Sequence, residues 1–325
     1  MMISKVLHMS LVSSLSIASI LMSGSPQSEN TAAREWTVFD VANPEQPGRQ
    51  VDVRHEGTMV ARFIYGEGQI KPYLHVFGVG GEQLTKGDPR GRFPHHRGIF
   101  IGWNHLHSDL GRFDLWHLNR GGRMTVAKID RMDVTEEGAT LVATIEWRGN
   151  ATDSDPGELI LTEQRTLTIT RPQPDQTQID ASFQLHATRD LRLEGDLQHA
   201  GVHFRASQEV SEREGETSYL TAPESTVAGD NLQWCRFLFP VGQKWYSVQQ
   251  MNAPGNPVEE LSMRAYGRFG YFFKHSMTRD ETLSFNYRFV VQPSEAPGQA
   301  PHLSPSQAKA AREQSTRMYT EFSGK

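Results

Sequence analysis

The chain has 325 residues, of which 37% are hydrophobic and 22% are charged, so we expect a folded globular protein of one large domain or two ordinary ones. Its 33 lysine and arginine residues against 38 acidic residues give a net charge of −5, which argues against a nucleic-acid partner. The single cysteine excludes an intramolecular disulfide framework and a cysteine-rich zinc site.

The N-terminal segment has the layout of a secretory signal peptide. Lys5 begins a short positive region, an interrupted apolar stretch follows over residues 6–22, and small residues come next at 23–25. The stretch is barely long enough for a permanent membrane helix. We therefore expect residues 1–25 to be a signal peptide. The mature protein is expected to be exported, periplasmic or extracellular, with no stable membrane insertion.

Most of the remaining sequence predicts β-strands. Apolar and polar residues alternate over 141–147, 181–187 and 285–291, the pattern of strands with one buried face. Clusters of Gly, Pro and Asp separate such runs. We predict an all-β fold, a large antiparallel β-sandwich with two big sheets, over residues 51–295, preceded by a linker or edge strand at 26–50.

A single convincing helix is predicted near the end of the sequence. Ser304 and Pro305 suit a helix start, and residues 306–318 are strong helix formers with few apolar positions. We therefore assign residues 296–325 to a C-terminal helical tail.

The histidines are concentrated in one stretch. Five of the 13 lie between residues 95 and 117. Imidazole titrates near neutral pH, and tryptophan offers a flat apolar face to a sugar ring. In this stretch we predict that His95 and His96 act as acid or base. We predict substrate binding by four further residues, which are Arg97, Trp103, Trp116 and His117. The alternative is that individual histidines have a structural role only and donate hydrogen bonds to backbone carbonyl groups of the loops.

The spacing His105-Leu-His107 is a weak metal signal. On a strand the two imidazoles share a face and lie about 7 Å apart, so they could hold one ion with a third ligand. Because this spacing also occurs by chance, no metal and no other cofactor is predicted. A divalent metal at His105 and His107 stays as the alternative.

Two further strands carry polar groups at unexpected positions. In 159–169, Glu163 and Arg165 share an apolar face, which indicates either a paired ion bridge or a site. In 197–206 the apolar face alternates with His199, His203 and Arg205, and we predict that this polar face lines a cleft. Gly201 leaves room there for a ligand.

Several motifs together resemble a known family. They are Pro72-Tyr73, Gly87-Asp88-Pro89, Pro94-His95-His96-Arg97-Gly98 and the segments 195–205 and 264–270. From about residue 51 to 291 the chain resembles the bacterial family labelled "methane oxygenase PmoA-like". The resemblance implies an exported protein associated with sugar metabolism and a sandwich similar to the galactose-mutarotase supersandwich. Methane oxidation is not implied, because true methane monooxygenase subunits are membrane-embedded or hold dedicated copper sites.

Two functions from different classes fit these residues. The first is an exported enzyme, a hydrolase, lyase or epimerase, that acts on a carbohydrate or modified sugar by histidine acid/base chemistry. Its candidate catalytic residues are His95, His96, Glu163, His199 and His203. Arg97 and Arg205 would hold a carboxylate or hydroxyls. The second is a non-catalytic carbohydrate-binding or scaffold protein. In both cases the partner is a small molecule or oligosaccharide, and the oligomeric state is left open.

Overall fold

The computed structural model describes residues 35–44, 47–66, 68–69, 71–119, 121–222, 232–257, 259–297 and 303–324. The predicted signal peptide and residues 26–34 of the predicted linker lie outside these residues. The first ten strands are β1 (Trp36–Ala42), β2 (Arg49–His55), β3 (Thr58–Tyr65), β4 (Tyr73–Val76), β5 (Ile99–Trp103), β6 (His105–Ser108), β7 (Gly111–Phe113), β8 (Arg123–Val134), β9 (Gly138–Gly149) and β10 (Glu158–Gln173). The next ten are β11 (Gln176–Ala187), β12 (Leu191–Glu194), β13 (Ala200–Arg205), β14 (Ser218–Thr221), β15 (Trp234–Val241), β16 (Lys244–Asn252), β17 (Glu260–Arg264), β18 (Arg268–Phe272), β19 (His275–Met277) and β20 (Thr282–Ser294). The helices are α1 (Gln208–Glu212) and α2 (Pro305–Ser323).

The strands form three antiparallel sheets in the described part of the chain. The first sheet has the order β1-β2-β3-β4-β5-β13-β18-β17, and the second has the order β14-β15-β16-β20-β11-β10-β9-β8. A small sheet, which the sequence did not reveal, has the order β19-β12-β6-β7. Strand β1 is the edge of the first sheet. The all-β prediction with large antiparallel sheets and a C-terminal helix is confirmed.

One hydrophobic core joins the two large sheets. The alternating residues of 141–147, 181–187 and 285–291 all belong to it, as the period-two pattern predicts. From the first sheet, Ile101, Val202 and Phe269 point into the same core. The opposite face of each sheet is therefore free to carry other groups, and on the first sheet these groups are polar.

Helix α2 packs on the outer face of the second sheet. Tyr319 lies in a cluster with Trp234 and Leu238, which alternate along β15 with residues of the main core. Ser304 caps the helix, because its hydroxyl accepts from the Gln307 backbone and the Gln307 side chain accepts from the Ser304 backbone. The helix begins at the predicted Ser304-Pro305 start and extends beyond residue 318 to Ser323. No helix in the described ranges is long and apolar enough to cross a membrane.

A buried carboxyl group lies just before β17. Glu259 is 3% exposed, and both of its oxygens lie within 2.8 Å of the Tyr287 hydroxyl. Burial raises the pKa of Glu259 to about 8, although hydrogen bonds from Tyr287 and Asn256 act in the opposite direction. The carboxyl group is therefore protonated in the folded protein at neutral pH.

This carboxyl group should make stability depend on pH. Because the folded pKa of about 8 exceeds the ordinary 4.5, the unfolded chain releases the proton first as the pH rises. The stabilisation is complete below pH 4.5 and is lost as the pH rises through 8. In urea unfolding, we expect the wild type to lose about 3 kcal/mol more than Glu259→Gln between mildly acidic and mildly alkaline pH. The exposed neighbour gives the control Glu260→Gln, which should follow the wild type; identical pH profiles for all three proteins would contradict this assignment.

Candidate functional site

The first sheet turns a polar face away from the core. On β13, Val202 points into the core, so His203 and Arg205 on either side of Phe204 point outward. Arg268 on the neighbouring β18 faces His203, and its guanidinium Nη1 lies 2.9 Å from His203 Nδ1. These side chains form the floor over which the connecting segments fold.

Three connecting segments converge on this face. They are the β4–β5 connection with the histidines after Pro94, residues 114–119 after β7, and the β12–β13 connection at 195–199. Backbone hydrogen bonds hold them: Arg205 N donates to Gly98 O at 2.9 Å, and Asn104 N donates to His199 O at 2.9 Å. The turn after Pro94 therefore meets the strand that carries Arg205, as the predicted cleft requires.

Three imidazoles from the three segments lie side by side. The ring centroids of His95 and His117 are 4.5 Å apart, and those of His117 and His199 are 4.9 Å apart. We call these residues the histidine row. All three side chains are partly exposed. His95 and His96 turn toward the same side, with ring centroids 4.2 Å apart, because the backbone before them is irregular, with Phe93 at φ 55°.

Two Asp-Leu-X-His sequences build most of the row. In the first, Asp114 Oδ1 accepts from the backbone N–H groups of Trp116 and His117 at 3.1 and 2.8 Å. Its Oδ2 accepts from the His117 ring Nδ1 at 2.8 Å. In the second, Asp196 Oδ1 accepts from Gln198 N at 2.8 Å and from the His199 ring Nδ1 at 2.9 Å. Each aspartate therefore closes a turn and orients the imidazole three residues later.

The carboxylates determine which ring nitrogen carries the proton. An ionised carboxylate only accepts hydrogen bonds, so Nδ1 of His117 and of His199 is the donor and the Nε2 lone pair is left for other chemistry. Burial raises the pKa of Asp114 and of Asp196, but the histidine and backbone hydrogen bonds outweigh it and lower both pKa values. Both carboxylates are therefore ionised at neutral pH.

The small sheet explains why the two turns meet. Strands β7 and β12 both run antiparallel to β6, which lies between them, so they are parallel to each other. Their carboxyl ends leave the sheet at the same edge, about 10 Å apart. Asp114 follows β7 directly, and Asp196 follows β12 after one residue.

His96 is buried beneath the row in a fixed tautomer. It is 2% exposed, and its Nε2 accepts from Trp116 Nε1 at 3.2 Å, so its proton is on Nδ1. Neither His96 Nδ1 nor the buried His95 Nε2 has a hydrogen-bond partner in the described residues. Burial, with the positive charge of Lys71 as the next cause, lowers the pKa of His95 to about 3. Burial also lowers the pKa of His96, so both rings are neutral at neutral pH.

His203 is held too firmly to reach a substrate. It is fully buried under Trp116, with ring centroids 4.9 Å apart. Its Nδ1 accepts from Arg268, and its Nε2 donates to Ala200 O at 2.7 Å, so both ring nitrogens are used. The catalytic role predicted for His203 is therefore corrected to positioning.

Glu163 lies in the core and apart from the histidine row. It is 0% exposed on β10 of the second sheet, where it pairs with Arg165 at 2.6 Å and accepts from Trp147 Nε1 at 2.8 Å. These partners occupy both carboxylate oxygens. The paired-bridge interpretation is therefore the one that the structure shows, and the predicted acid/base role is corrected.

Three of the other predicted binding residues are buried and have structural roles, and one is partly exposed. Trp103 is fully buried in the core and donates to Phe273 O at 3.0 Å, so it presents no face to a sugar. Trp116 is likewise fully buried, beneath the histidines. Arg205 is buried and binds Ser211 Oγ and Tyr266 O, so it fixes the β17–β18 turn rather than a substrate. Arg97 is partly exposed and stays available.

The predicted room at Gly201 serves the sheet and not a ligand. Gly201 has φ +92°, and a Cβ there would overlap the Tyr271 carbonyl oxygen of the paired strand β18. The close approach is therefore between two strands. A side chain at this position would separate β13 from β18 and disturb the floor of the site.

The His105 and His107 pair does not build a metal site. Their ring centroids are 6.3 Å apart on β6, and His107 Nε2 lies 3.6 Å from Glu194 Oε2. Within the residues that the structure describes, no group of three or more His, Cys, Asp or Glu side chains is arranged to hold a metal ion. The alternative reading of this spacing as a metal site is therefore not supported.

Several residues of the site were not predicted. Asp114 and Asp196 orient the row, and the repeated Asp-Leu-X-His sequence is the signal that could have revealed them. Lys71 lies 4.5 Å from the centre of the Phe100 ring and donates to Trp116 O at 2.7 Å. A lone lysine in a loop carries no such signal, because its position depends on how that loop folds over the sheet.

Comparisons with known proteins give a family and weak matches to solved structures. No curated protein sequence matches the chain. Heparan sulfate lyase HepC from Pedobacter heparinus has a TM-score of 0.37 and 11% identity, over 81% of this chain and 36% of that chain. 4-α-Glucanotransferase from Thermococcus litoralis has a TM-score of 0.29 and 11% identity, over 80% and 40%. The chain thus spans well under half the length of these structures.

A sequence model described as "Family of unknown function (DUF6807)" matches residues 50–300. The match includes every member of the histidine row and both orienting aspartates. Because it covers most of the sequence, the chain belongs to the DUF6807 family.

Proposed function

We propose that the protein is an exported enzyme that acts on a carbohydrate or modified sugar by proton transfer at the histidine row. The observation that carries the proposal is the pair of aspartate-oriented imidazoles, His117 and His199, with ring centroids 4.9 Å apart at a partly exposed surface. Two side-by-side groups that each offer an Nε2 atom can act as base and acid in one reaction.

The mechanism follows from the tautomers. The first imidazole, whose Nδ1–H donates to the aspartate, accepts a proton from the substrate at Nε2. The resulting imidazolium is stabilised by the carboxylate behind it, as in other Asp–His pairs. The second imidazole, when protonated, donates a proton to the leaving oxygen or to the opposite face of the substrate carbon. Epimerisation, elimination and hydrolysis can each use one base and one acid placed in this way.

The hydrogen-bonding groups around the row fit a hydroxyl-rich ligand. His95 Nε2 is a buried nitrogen without a hydrogen-bond partner in the described residues, and the partly exposed Arg97 adds donors at the rim. A polyol satisfies such a mixed set of donors and acceptors through its hydroxyls. Export and the relation to sugar metabolism rest on the predicted signal peptide and on the resemblance to the PmoA-like family, and both are part of this proposal.

The test is a substrate screen with a matched inactive protein. The full chain is incubated with neutral and acidic oligosaccharides, and three products are followed: reducing ends for hydrolysis, absorbance of a new conjugated double bond for elimination, and deuterium uptake from heavy water for epimerisation. We expect one activity in the wild type and its loss in the Asp114→Asn/Asp196→Asn double variant. Saturable binding with no product in any assay would instead indicate the carbohydrate-binding alternative.

A further inference from the structure

Four buried cations lie on the polar side of the first sheet or in the segments that fold over it. Lys71, Lys86, Arg205 and Arg268 are each at most 2% exposed. In the described part of the chain none of them forms an ion pair with a carboxylate, whereas twenty other His, Lys or Arg contacts with Asp or Glu are present. Buried charges in proteins are normally paired, so this concentration is unusual.

The cations are hydrogen-bonded, but to uncharged acceptors. Lys71 Nζ donates to Trp116 O at 2.7 Å, and Lys86 Nζ donates to Arg92 O at 2.6 Å. Arg205 binds Ser211 Oγ at 2.5 Å, and Arg268 binds His203 Nδ1 at 2.9 Å. These bonds fix the positions of the cations without neutralising their charge.

Two of the cations lie against Trp116, which in turn lies next to the row. Lys71 Nζ and the Arg268 guanidinium carbon lie 5.5 and 5.9 Å from the centre of the Trp116 ring, which itself lies 6.2 Å from the His199 ring. At the rim, Arg97 donates only to Pro94 O and Gln69 Oε1. The nearby acids, Asp114 and Asp196, are already engaged by His117 and His199.

The lowered pKa values of the two buried lysines, due mainly to burial and in part to repulsion by neighbouring arginines, agree with this geometry. Burial is the main cause that lowers the pKa of Lys71 to about 7; Asp114 opposes the shift, and repulsion by Arg97 and Arg165 adds to it. Burial lowers the pKa of Lys86 to about 8, and Arg205 contributes in the same direction. An anion bound at the row would relieve this repulsion, and buried cations attract it more strongly than exposed ones do.

We propose that the substrate of the histidine row carries an anionic group, a carboxylate or a sulfate on a sugar, which binds beside His95 within the field of Lys71, Arg97 and Arg268. This inference rests on the proposed function and specifies its substrate class. The shared chemistry is an oxyanion that accepts hydrogen bonds from the row and the rim. A neutral sugar would leave the positive charge uncompensated.

The test compares matched sugars by ligand-detected NMR titration of the full chain. Glucuronate, glucose 6-sulfate and glucose differ mainly in the group at carbon 6. We expect at least one of the two anions to bind about tenfold more tightly than glucose. Raising the salt from about 0.05 to 0.5 M should weaken that binding severalfold. Tight binding of glucuronate alone identifies a carboxylate, and tight binding of glucose 6-sulfate alone identifies a sulfate.

Two variants locate the binding. Arg97→Gln, at the partly exposed rim, should weaken anion binding about five- to tenfold. Arg312→Gln removes the same charge from the exposed face of α2 and should leave binding unchanged. Equal binding of glucose and both anions, no binding of either anion, or equal effects of the two variants would overturn the inference. Anion binding without any product would leave this inference standing and refute the enzymatic function. Turnover of neutral sugars and not of anionic ones would support the enzymatic function and overturn this inference.

Discussion

Replacing His199 with alanine should lower kcat/KM by about 10²- to 10⁴-fold, because proton transfer by a positioned imidazole contributes a factor of this size. The same loss is expected for His117→Ala, since the proposed mechanism uses the two residues as one acid/base pair. Both side chains are partly exposed and lie in turns, so their removal should leave the fold intact. Turnover is measured on the substrate that the screen identifies, with circular dichroism and the unfolding midpoint as measures of folding.

The matched control is His186→Ala. His186 is an exposed histidine on β11 of the second sheet, where its Nδ1 lies 3.2 Å from the Thr282 hydroxyl. The control should keep wild-type turnover. If His199→Ala retained more than about half of the activity, the histidine row would not be the centre of proton transfer.

Removing the guanidinium of Arg165 should have the largest effect on stability. Glu163 and Arg165 are 0% and 3% exposed in the core, and the two oxygens of Glu163 lie 2.6 and 3.1 Å from Arg165 nitrogens. In Arg165→Met, the carboxylate keeps only Trp147 as a partner. We expect the free energy of unfolding, measured in urea, to fall by about 3–5 kcal/mol.

The double variant Glu163→Gln/Arg165→Met distinguishes the cost of an unpaired buried charge from the cost of lost side-chain packing. Because it removes the stranded charge, it should recover part of the loss. If the single and double variants are equally destabilised, the cost arises from lost packing around the methylene groups and not from an unpaired charge. A loss below about 1 kcal/mol in the single variant would contradict the assignment of a buried ion pair.

Local patterns were sufficient to predict the strands and the last helix. Period-two alternation identified the buried faces of β9, β11 and β20, and Ser304-Pro305 identified the start of α2. These signals are local, since each residue's environment follows from its own strand or turn. The small sheet was missed because its strands have only 3 or 4 residues, too few to show a period.

The site was only partly predictable for a different reason. The histidines of the row stand out as a cluster of titratable groups, and the strand at 200–205 shows its polar face by alternation. Whether such a face meets solvent or a covering loop depends on tertiary packing. For that reason Trp103 and Arg205, reasonable as binding residues in the sequence, lie in the core and beneath a turn. Asp114 and Asp196 could have been predicted only by noticing that the segments 114–117 and 196–199 share the sequence Asp-Leu-X-His.

The small sheet has a consequence for how this protein can change. The separation of the two aspartate-oriented imidazoles depends on the main-chain hydrogen bonds on either side of β6, not on the particular side chains around the row. Loops elsewhere around the row can therefore diverge in sequence while the two imidazoles keep their spacing. A one-residue slip of either outer strand against β6 would move one imidazole by about 3.4 Å and separate the pair without altering a single functional residue.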